Sequence, residues 1–253
     1  ADETGVPHWN PVLFRGKDGR IILYYKTGHR ITSWSTKFIE SHDEGVTWSA
    51  PRELIADDRG GRGPVKNKPI LLRSGRILAP ASSEGEEWNA FVDISDDDGR
   101  SWTKSATVPL NRPVLSGKGV IQPTLWEFES GAIGMLLRST AGRIIRSTSE
   151  DGGETWSTGE LTPLPNTNSG IDLAKSSSGV IALAYNPVGK DWGARTPLDV
   201  VFSCDDGASW EGGITLESAP GEYSYPAVLA RGSVFSVTYT WKRERIAYAE
   251  IEQ

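Results

Sequence analysis

Polar residues stand directly before a proline at four places where a short apolar run begins: Asn10, Lys68, Gln122 and Tyr225. We predict that each position opens the innermost strand of a repeated unit, so the four side chains should occupy equivalent places. A buried polar group costs free energy unless it is hydrogen-bonded. These positions therefore indicate either a binding site for a polar ligand or a polar, water-filled channel, and the sequence leaves both open.

Two arginines are candidates for binding a carboxylate, because the guanidinium group can donate two parallel hydrogen bonds to it. Arg138 ends a strongly apolar run, and Arg195 lies in a loop rich in Gly, Trp and Pro. For Arg138 the alternative is a buried salt bridge with Glu127 or Asp172. For Arg195 the alternative is a solvated loop charge.

Further polar and aromatic residues complete the predicted binding set. Its asparagines are Asn10, Asn67 and Asn186. Lys66 and Lys68 flank Asn67, and they either add positive potential to the site or lie at a solvated strand end. Three tryptophans are suited either to stacking on sugar rings or to packing between sheets: Trp9, Trp88 and Trp192.

The elements that must position these residues come from an internal repeat. The pattern Ser-x-Asp-x-Gly-x-[Ser/Thr]-Trp occurs at residues 41–48, 95–102, 149–156 and 203–210, with a step of 54 residues each time. The Gly permits the positive φ of a tight turn, and the Asp carboxylate can accept hydrogen bonds from the turn's N–H groups. The pattern therefore predicts four equivalent hairpins, in which the acids have a structural role: Asp43, Asp97, Asp151 and Asp205.

Three apolar or alternating runs of about four to six residues precede each box, and this length predicts strands. With the strand after the box they make a four-stranded blade, and repeated blades predict an all-β propeller. The last unit, residues 225–250, has three runs and no box. We therefore predict four complete blades and one partial blade in a single domain over residues 1–253. Either the N-terminal residues supply the missing outer strand, or a blade has been lost upstream.

The four boxes resemble the Asp-boxes of the sialidase (neuraminidase) superfamily. The segments at 63–70, 121–124, 224–226 and 238–241 are similar to its branch of BNR-repeat sialidase-like proteins, so the resemblance covers essentially the whole chain. It implies a sialidase-like propeller, with six blades in the full family, and hydrolysis of acidic or complex glycans. Non-hydrolytic proteins carry the box too, so the resemblance is more specific for fold than for activity.

The resemblance also implies roles for individual residues. Sialidases hold the substrate carboxylate with three arginines, attack the anomeric carbon with a Tyr that a Glu activates, and use an Asp as acid and base. Arg138 matches the second arginine and Arg195 the third. Tyr223 and Tyr225 both resemble the nucleophile, and their period-2 spacing predicts that they share a face.

The sequence departs from the family at three positions of the site. Gln122 stands where the family has its Glu base, and a glutamine cannot take up the proton. Nothing in the sequence matches the first arginine or the Asp. The leading hypothesis is an exo-sialidase-like glycoside hydrolase. The alternatives are a non-catalytic glycan-binding propeller and a polysaccharide lyase with a Tyr base.

The composition limits the classes of partner that we expect for this protein. The net charge is -6 and no block of Lys and Arg is present, so neither nucleic acid nor an anionic membrane is expected as a partner. No apolar run approaches the roughly 20 residues of a membrane span. Cys204 is the single cysteine, so no intrachain disulfide is expected. The three histidines lack metal-ligand spacing, and no cofactor is predicted.

Overall fold

A computed structural model describes residues 4–113, 115 and 117–253. The protein is an all-β, five-bladed β-propeller of antiparallel sheets, as the repeat predicted. The first blade contains β1 (His8–Arg15), β2 (Ile21–Thr27), a short 3-10 helix (Ile31–Ser33), β3 (Ser35–Ser41) and β4 (Arg52–Glu53). The second contains β5 (Ile70–Leu71), β6 (Ile77–Glu84), β7 (Trp88–Ser95) and β8 (Thr103–Lys104).

The remaining blades follow the same chain order. The third contains β9 (Val120–Glu127), β10 (Ile133–Ser139), β11 (Arg143–Ser149) and β12 (Glu160–Pro165). The fourth contains β13 (Asp172–Lys175), β14 (Ile181–Tyr185), β15 (Leu198–Ser203) and β16 (Glu211–Glu217). The fifth contains β17 (Tyr223–Arg231), β18 (Val234–Trp241) and β19 (Arg245–Glu252). In every sheet the strands are hydrogen-bonded to their chain neighbours.

The fifth sheet has three strands within the described residues, and no described N-terminal strand pairs with it in the way that the first of the two alternatives offered. The first described strand, β1, pairs with β2 inside the first blade, from His8 opposite Thr27 to Arg15 opposite Ile21. β1 therefore belongs to the first sheet, and among the described residues the fifth sheet consists of β17, β18 and β19.

The four boxes form four nearly identical hairpin turns. In the second box Ser95 donates to the Asp97 carboxylate at 2.8 Å, and the Ser101 N–H and hydroxyl donate to the same carboxylate at 2.8 and 2.6 Å. The Gly99 N–H donates to the Ser95 hydroxyl at 2.8 Å. Hydrogen bonds from the Ser or Thr of each box hold the pKa of its Asp at about 2. The structural role predicted for these acids accounts for their contacts.

The chain divides into two compact units. The first comprises Ala1–Pro109, Ile121–Ile133 and Thr148–Thr158. The second comprises Leu110–Val120, Gly134–Ser147 and Gly159–Gln253. Each unit has a buried apolar cluster, which includes Val12, Ile22, Tyr24 and Trp102 in the first. In the second it includes Leu198, Phe202, Tyr223, Val228 and Phe235. Within the described residues, no helix has the length and apolar character needed to cross a bilayer.

Candidate functional site

A backbone bulge at the start of β17 sets the direction of the Tyr225 side chain. The register of β17 against β18 shifts between Ser224 and Ala227, and Tyr225 has a φ of 52°. A bulge inserts one residue into a strand and re-aims its side chain. A positive φ is uncommon in a residue other than glycine, and such strained positions persist where the surrounding structure holds them. The fold therefore fixes Tyr225 in a strained conformation.

The same device occurs at two of the other positions that precede a proline. Asn10 has a φ of 48° and Gln122 a φ of 52°, and the register of β1 shifts beside Asn10. Lys68 lacks a positive φ; in its blade the residue with a positive φ shortly before the first strand is Lys66, at 68°. Asn10, Gln122 and Tyr225 are thus equivalent in their blades. Lys68 is not, because the positive φ of the second blade lies two residues earlier in the chain.

The bulge separates the two tyrosines that the sequence could not distinguish. Tyr223 is 1% exposed and belongs to the apolar cluster of the second unit, and its ring packs edge-on against the Trp241 ring with the ring centres 6.3 Å apart. Tyr225 is 36% exposed. The expectation that they share a face was wrong, because the extra residue of the bulge breaks the alternation of the strand.

Tyr225 lies beside both arginines of the predicted binding set. The Arg195 guanidinium carbon is 5.1 Å from the centre of the phenol ring. Burial raises the pKa of Tyr225, but the charges of Arg195 and Arg138 and the hydrogen bonds from both lower it, and its pKa lies below the ordinary value. A phenol in this setting gives up its proton more readily than a phenol in water.

Arg138 is held at the end of β10 by a chain of polar side chains. It is 4% exposed, and its Nε donates to Oδ1 of Asn168 at 2.8 Å. The Nδ2 of Asn168 in turn donates to Oδ1 of Asp191 at 2.9 Å. Asn168 has a φ of 54°, another strained position. Asp172, which the sequence offered as a salt-bridge partner, accepts the Val228 N–H at 2.8 Å. The network fixes the direction of the Arg138 guanidinium.

Arg195 is held by Glu222, the residue that precedes Tyr223. Its Nη1 is 2.9 Å from Oε1 of Glu222, and Oε2 accepts a hydrogen bond from Nε of Arg243 at 2.8 Å. The Ser224 hydroxyl donates to Oε1 at 3.0 Å. Burial raises the pKa of Glu222, but hydrogen bonds from Arg243 and Ser224 and the charges of both arginines bring it below its usual range. Glu222 is therefore a carboxylate that positions two arginines.

The predicted asparagines have other partners. Asn186 is fully buried and ties backbone together: its Nδ2 donates to the carbonyls of Pro197 and Tyr223 at 2.8 and 2.9 Å. These hydrogen bonds support the strand that carries Tyr225. In the first unit Asn67, 1% exposed, donates from Nδ2 to the Gln122 carbonyl at 3.0 Å. Both side chains thus support the backbone, and their binding roles stay predictions.

The remaining predicted residues lie in the first unit. Gln122 is 6% exposed, and its N–H donates to the Ser82 hydroxyl at 3.3 Å. Asn10 and Lys68 are half-buried. The same unit has an apolar hollow of about 450 Å³, lined by His8, Trp9, Leu23, Tyr25 and Ile39 among others. Among the described residues that line it there is no arginine or carboxylate.

Sequence reasoning missed four residues of the site: Asn168, Asp191, Glu222 and Arg243. The polar run at 166–169 is fully buried, and a buried polar run was the signal that could have indicated Asn168. Nothing in the sequence marked Asp191 or Arg243. Among the described residues, no group of three His, Cys, Asp or Glu side chains could hold a metal ion.

The fold and these contacts define a β-propeller with an arginine–tyrosine site in its second unit. Residues 1–236 match the family profile described as a BNR repeat-like domain, and the chain belongs to that family. The chain is 30% identical over 125 residues to an anhydrosialidase of Macrobdella decora, which covers 46% of this chain and 16% of that protein. It is 26% identical over 178 residues to a sialidase of Vibrio cholerae, which covers 60% of this chain and 23% of that protein.

Solved structures show the same fold. The Hadza microbial sialidase Hz136 is similar over 100% of this chain and 55% of its own, with a TM-score of 0.81 and 17% identity. A protein of unknown function from Dyadobacter fermentans is similar over 97% of this chain and 76% of its own, with a TM-score of 0.76 and 18% identity. The fold is therefore sialidase-like. The chain spans between 16% and 25% of the length of the curated relatives it matches.

Proposed function

We propose that the protein is a sialidase-type glycoside hydrolase that acts on glycans ending in an acidic sugar. The observation that carries the proposal is that Tyr225 interacts with both Arg138 and Arg195, with the Arg195 guanidinium carbon 5.1 Å from the centre of its ring. The names of the relatives, sialidase and anhydrosialidase, support the same class.

The chemistry follows from the charges. Arg138 and Arg195 would bind the carboxylate of the sugar, since a guanidinium group donates paired hydrogen bonds to a carboxylate. The phenol oxygen of Tyr225 would attack the anomeric carbon and lose its proton to water, while the leaving oxygen takes up a proton from water as its bond to that carbon breaks. A water molecule would then attack the same carbon and return a proton to the tyrosine oxygen, which releases the free sugar. A phenol suits this step because, unlike a carboxylate nucleophile, it is neutral until it loses its proton and so does not repel the acidic sugar.

A second candidate, a propeller that binds acidic glycans without cleaving them, is favoured by Gln122. That residue stands where sialidases have a Glu base, and the sequence has no match to their acid/base Asp. This candidate keeps the roles of Arg138 and Arg195 and removes the role of Tyr225 as a nucleophile.

One experiment distinguishes the two candidate functions. The protein is incubated with a 4-methylumbelliferyl sialoside and with a panel of acidic glycans, while binding to an array of the same glycans is measured. Turnover supports the hydrolase, and binding without product supports the non-catalytic candidate. If a folded protein neither binds nor cleaves any acidic glycan, both are wrong. New ultraviolet absorbance from an unsaturated uronate would instead indicate a lyase.

A further inference from the structure

The turn between β18 and β19 presents a cluster of positive charge. Its residues Lys242 and Arg243 are followed by Glu244 and by Arg245, the first residue of β19. The Lys242 ammonium lies 4.5 Å from the centre of the Trp241 ring, and the Arg245 guanidinium carbon lies 4.7 Å from it. Neither side chain forms a salt bridge with the described residues. The chain as a whole carries a net charge of -6, so this turn stands out from the average charge of the protein.

The backbone of the turn is fixed beside the arginine–tyrosine site. The Lys242 N–H donates to the Glu222 carbonyl at 2.7 Å, and the Arg243 side chain binds the Glu222 carboxylate. Through Glu222 the turn is joined to Arg195, and Arg243 also interacts electrostatically with Tyr225.

The two central residues of the turn are strained. The Glu244 N–H donates to the Trp241 carbonyl at 3.0 Å, and Lys242 and Arg243 have φ values of 53° and 56°. Such turns favour Gly, Asn and Asp at these two places. Long cationic side chains at both places are unusual for a turn with only a structural task, and strained residues concentrate at binding sites.

We propose that Lys242 and Arg245, arranged around Trp241, bind a second anionic group of the substrate, on the sugar next to the one held by Arg138 and Arg195. This inference rests on the proposed function and adds a substrate class, glycans with acidic groups on two adjacent sugars. Arg243 stays engaged with Glu222 and positions the turn.

The test compares two sialosides that differ in the second charge: the methyl glycoside of one sialic acid, and the α2,8-linked dimer, which has two carboxylates. Dissociation constants are measured by titration calorimetry in the Tyr225→Phe background, which prevents cleavage of the ligand, with Lys242 and Arg245 kept and with the double change Lys242→Gln/Arg245→Gln. The matched control is Arg231→Gln, an exposed arginine at the opposite hairpin of the same sheet.

We expect the dimer to bind about tenfold more tightly than the monomer, since two partly exposed charge pairs each add a modest increment. The double variant should reduce this preference to less than about twofold and leave the affinity for the monomer unchanged, while Arg231→Gln keeps the preference. The inference is overturned if the monomer binds but the dimer binds no better, or if the preference survives in the double variant. If neither ligand binds a folded protein, the proposed function fails, and this inference fails with it.

Discussion

Arg195 and Glu222 form a salt bridge of 2.9 Å between Nη1 and Oε1, and this contact joins the loop before β15 to the start of β17. Because Glu222 binds Arg243 at the same time, it balances two arginines with one carboxylate. The site thereby keeps a positive excess beside Tyr225. That excess is the reason for the low pKa of the phenol, and each part of it can be tested.

Replacing the exposed tyrosine should remove catalysis and leave the fold intact. Tyr225→Phe keeps the ring and removes the hydroxyl, so we expect turnover to fall by about 10²- to 10⁴-fold, the range for loss of a positioned catalytic group. Tyr223→Phe is the matched control: its ring is buried, so turnover should change less than about twofold. Equal losses in both variants would contradict the assignment, as would full activity in Tyr225→Phe. Steady-state kinetics with a sialoside measures both.

Replacing Arg138 should weaken binding of the acidic sugar. Arg138→Lys keeps the charge but loses the paired donors and the hydrogen bond to Asn168, so we expect a 10- to 100-fold loss of affinity, from about 1.5–3 kcal/mol for a charged hydrogen bond. Asn168→Ala keeps the Arg138 guanidinium but removes its hydrogen bond to Asn168, so it should cause a smaller loss of affinity. Calorimetric titration with a sialoside measures both, and an unchanged affinity in Arg138→Lys would exclude Arg138 from the site.

The titration of Tyr225 should depend on its arginines. The charged form is favoured in the folded protein, so the phenolate forms at a lower pH than in a free tyrosine. Arg195→Gln removes the largest of the contributions that lower this pKa, and the midpoint of phenolate formation should move up in pH. The difference in ultraviolet absorbance between the unaltered protein and Tyr225→Phe isolates this single group. A midpoint that does not move in Arg195→Gln would show that the arginine does not act on the phenol.

The low pKa values of the box acids predict that the free energy of unfolding decreases at acidic pH. Their pKa of about 2 in the folded protein lies below the ordinary 3.8. The stabilisation is therefore complete above pH 3.8 and is lost as the pH falls towards 2. Urea unfolding between pH 5 and 2 should show a steeper decline for the unaltered protein than for Asp97→Asn. Glu211→Gln, an exposed acid of β16, should leave the slope unchanged, and an equal slope in Asp97→Asn would contradict the structural role of the boxes.

Trp192 tests whether an exposed aromatic ring contributes to sugar binding. It is 66% exposed, has a φ of 54°, and directly follows Asp191 of the network that holds Arg138. If it stacks on a sugar ring, Trp192→Ala should raise KM about tenfold with little change in kcat, because stacking acts on binding. Trp88, 7% exposed, is a packing residue, so Trp88→Ala should lower stability instead.

The fold could be predicted from the sequence because the residues within each box explain the turn that the box forms. A Ser, an Asp and a Gly at fixed offsets build the turn by local hydrogen bonds, and a step of 54 residues shows that the turns repeat. The apolar runs between boxes then have the length of strands. None of these inferences requires contacts between residues distant in the chain, and all of them agree with the structure.

The site was less predictable because its geometry depends on backbone irregularities. Alternation along β17 predicted a shared face for Tyr223 and Tyr225, and the bulge at Tyr225 removed it. The sequence likewise did not indicate that the Asn186 side chain donates to two backbone carbonyls. Glu222 and Arg243 meet because Tyr223 is paired with Trp241 in the register of β17 and β18, and the sequence did not give that register.

The most direct test of the central claim is a covalent trap. A 2,3-difluorosialic acid is suited to it, because fluoride leaves the anomeric carbon without protonation and the step needs only the arginines and the nucleophile. After incubation, intact-mass measurement and peptide mapping should find one added sugar on Tyr225, absent in Tyr225→Phe and present in Tyr223→Phe. A folded protein that gains no sugar, or that gains it on any other residue, would contradict the role of Tyr225 as the nucleophile of this site.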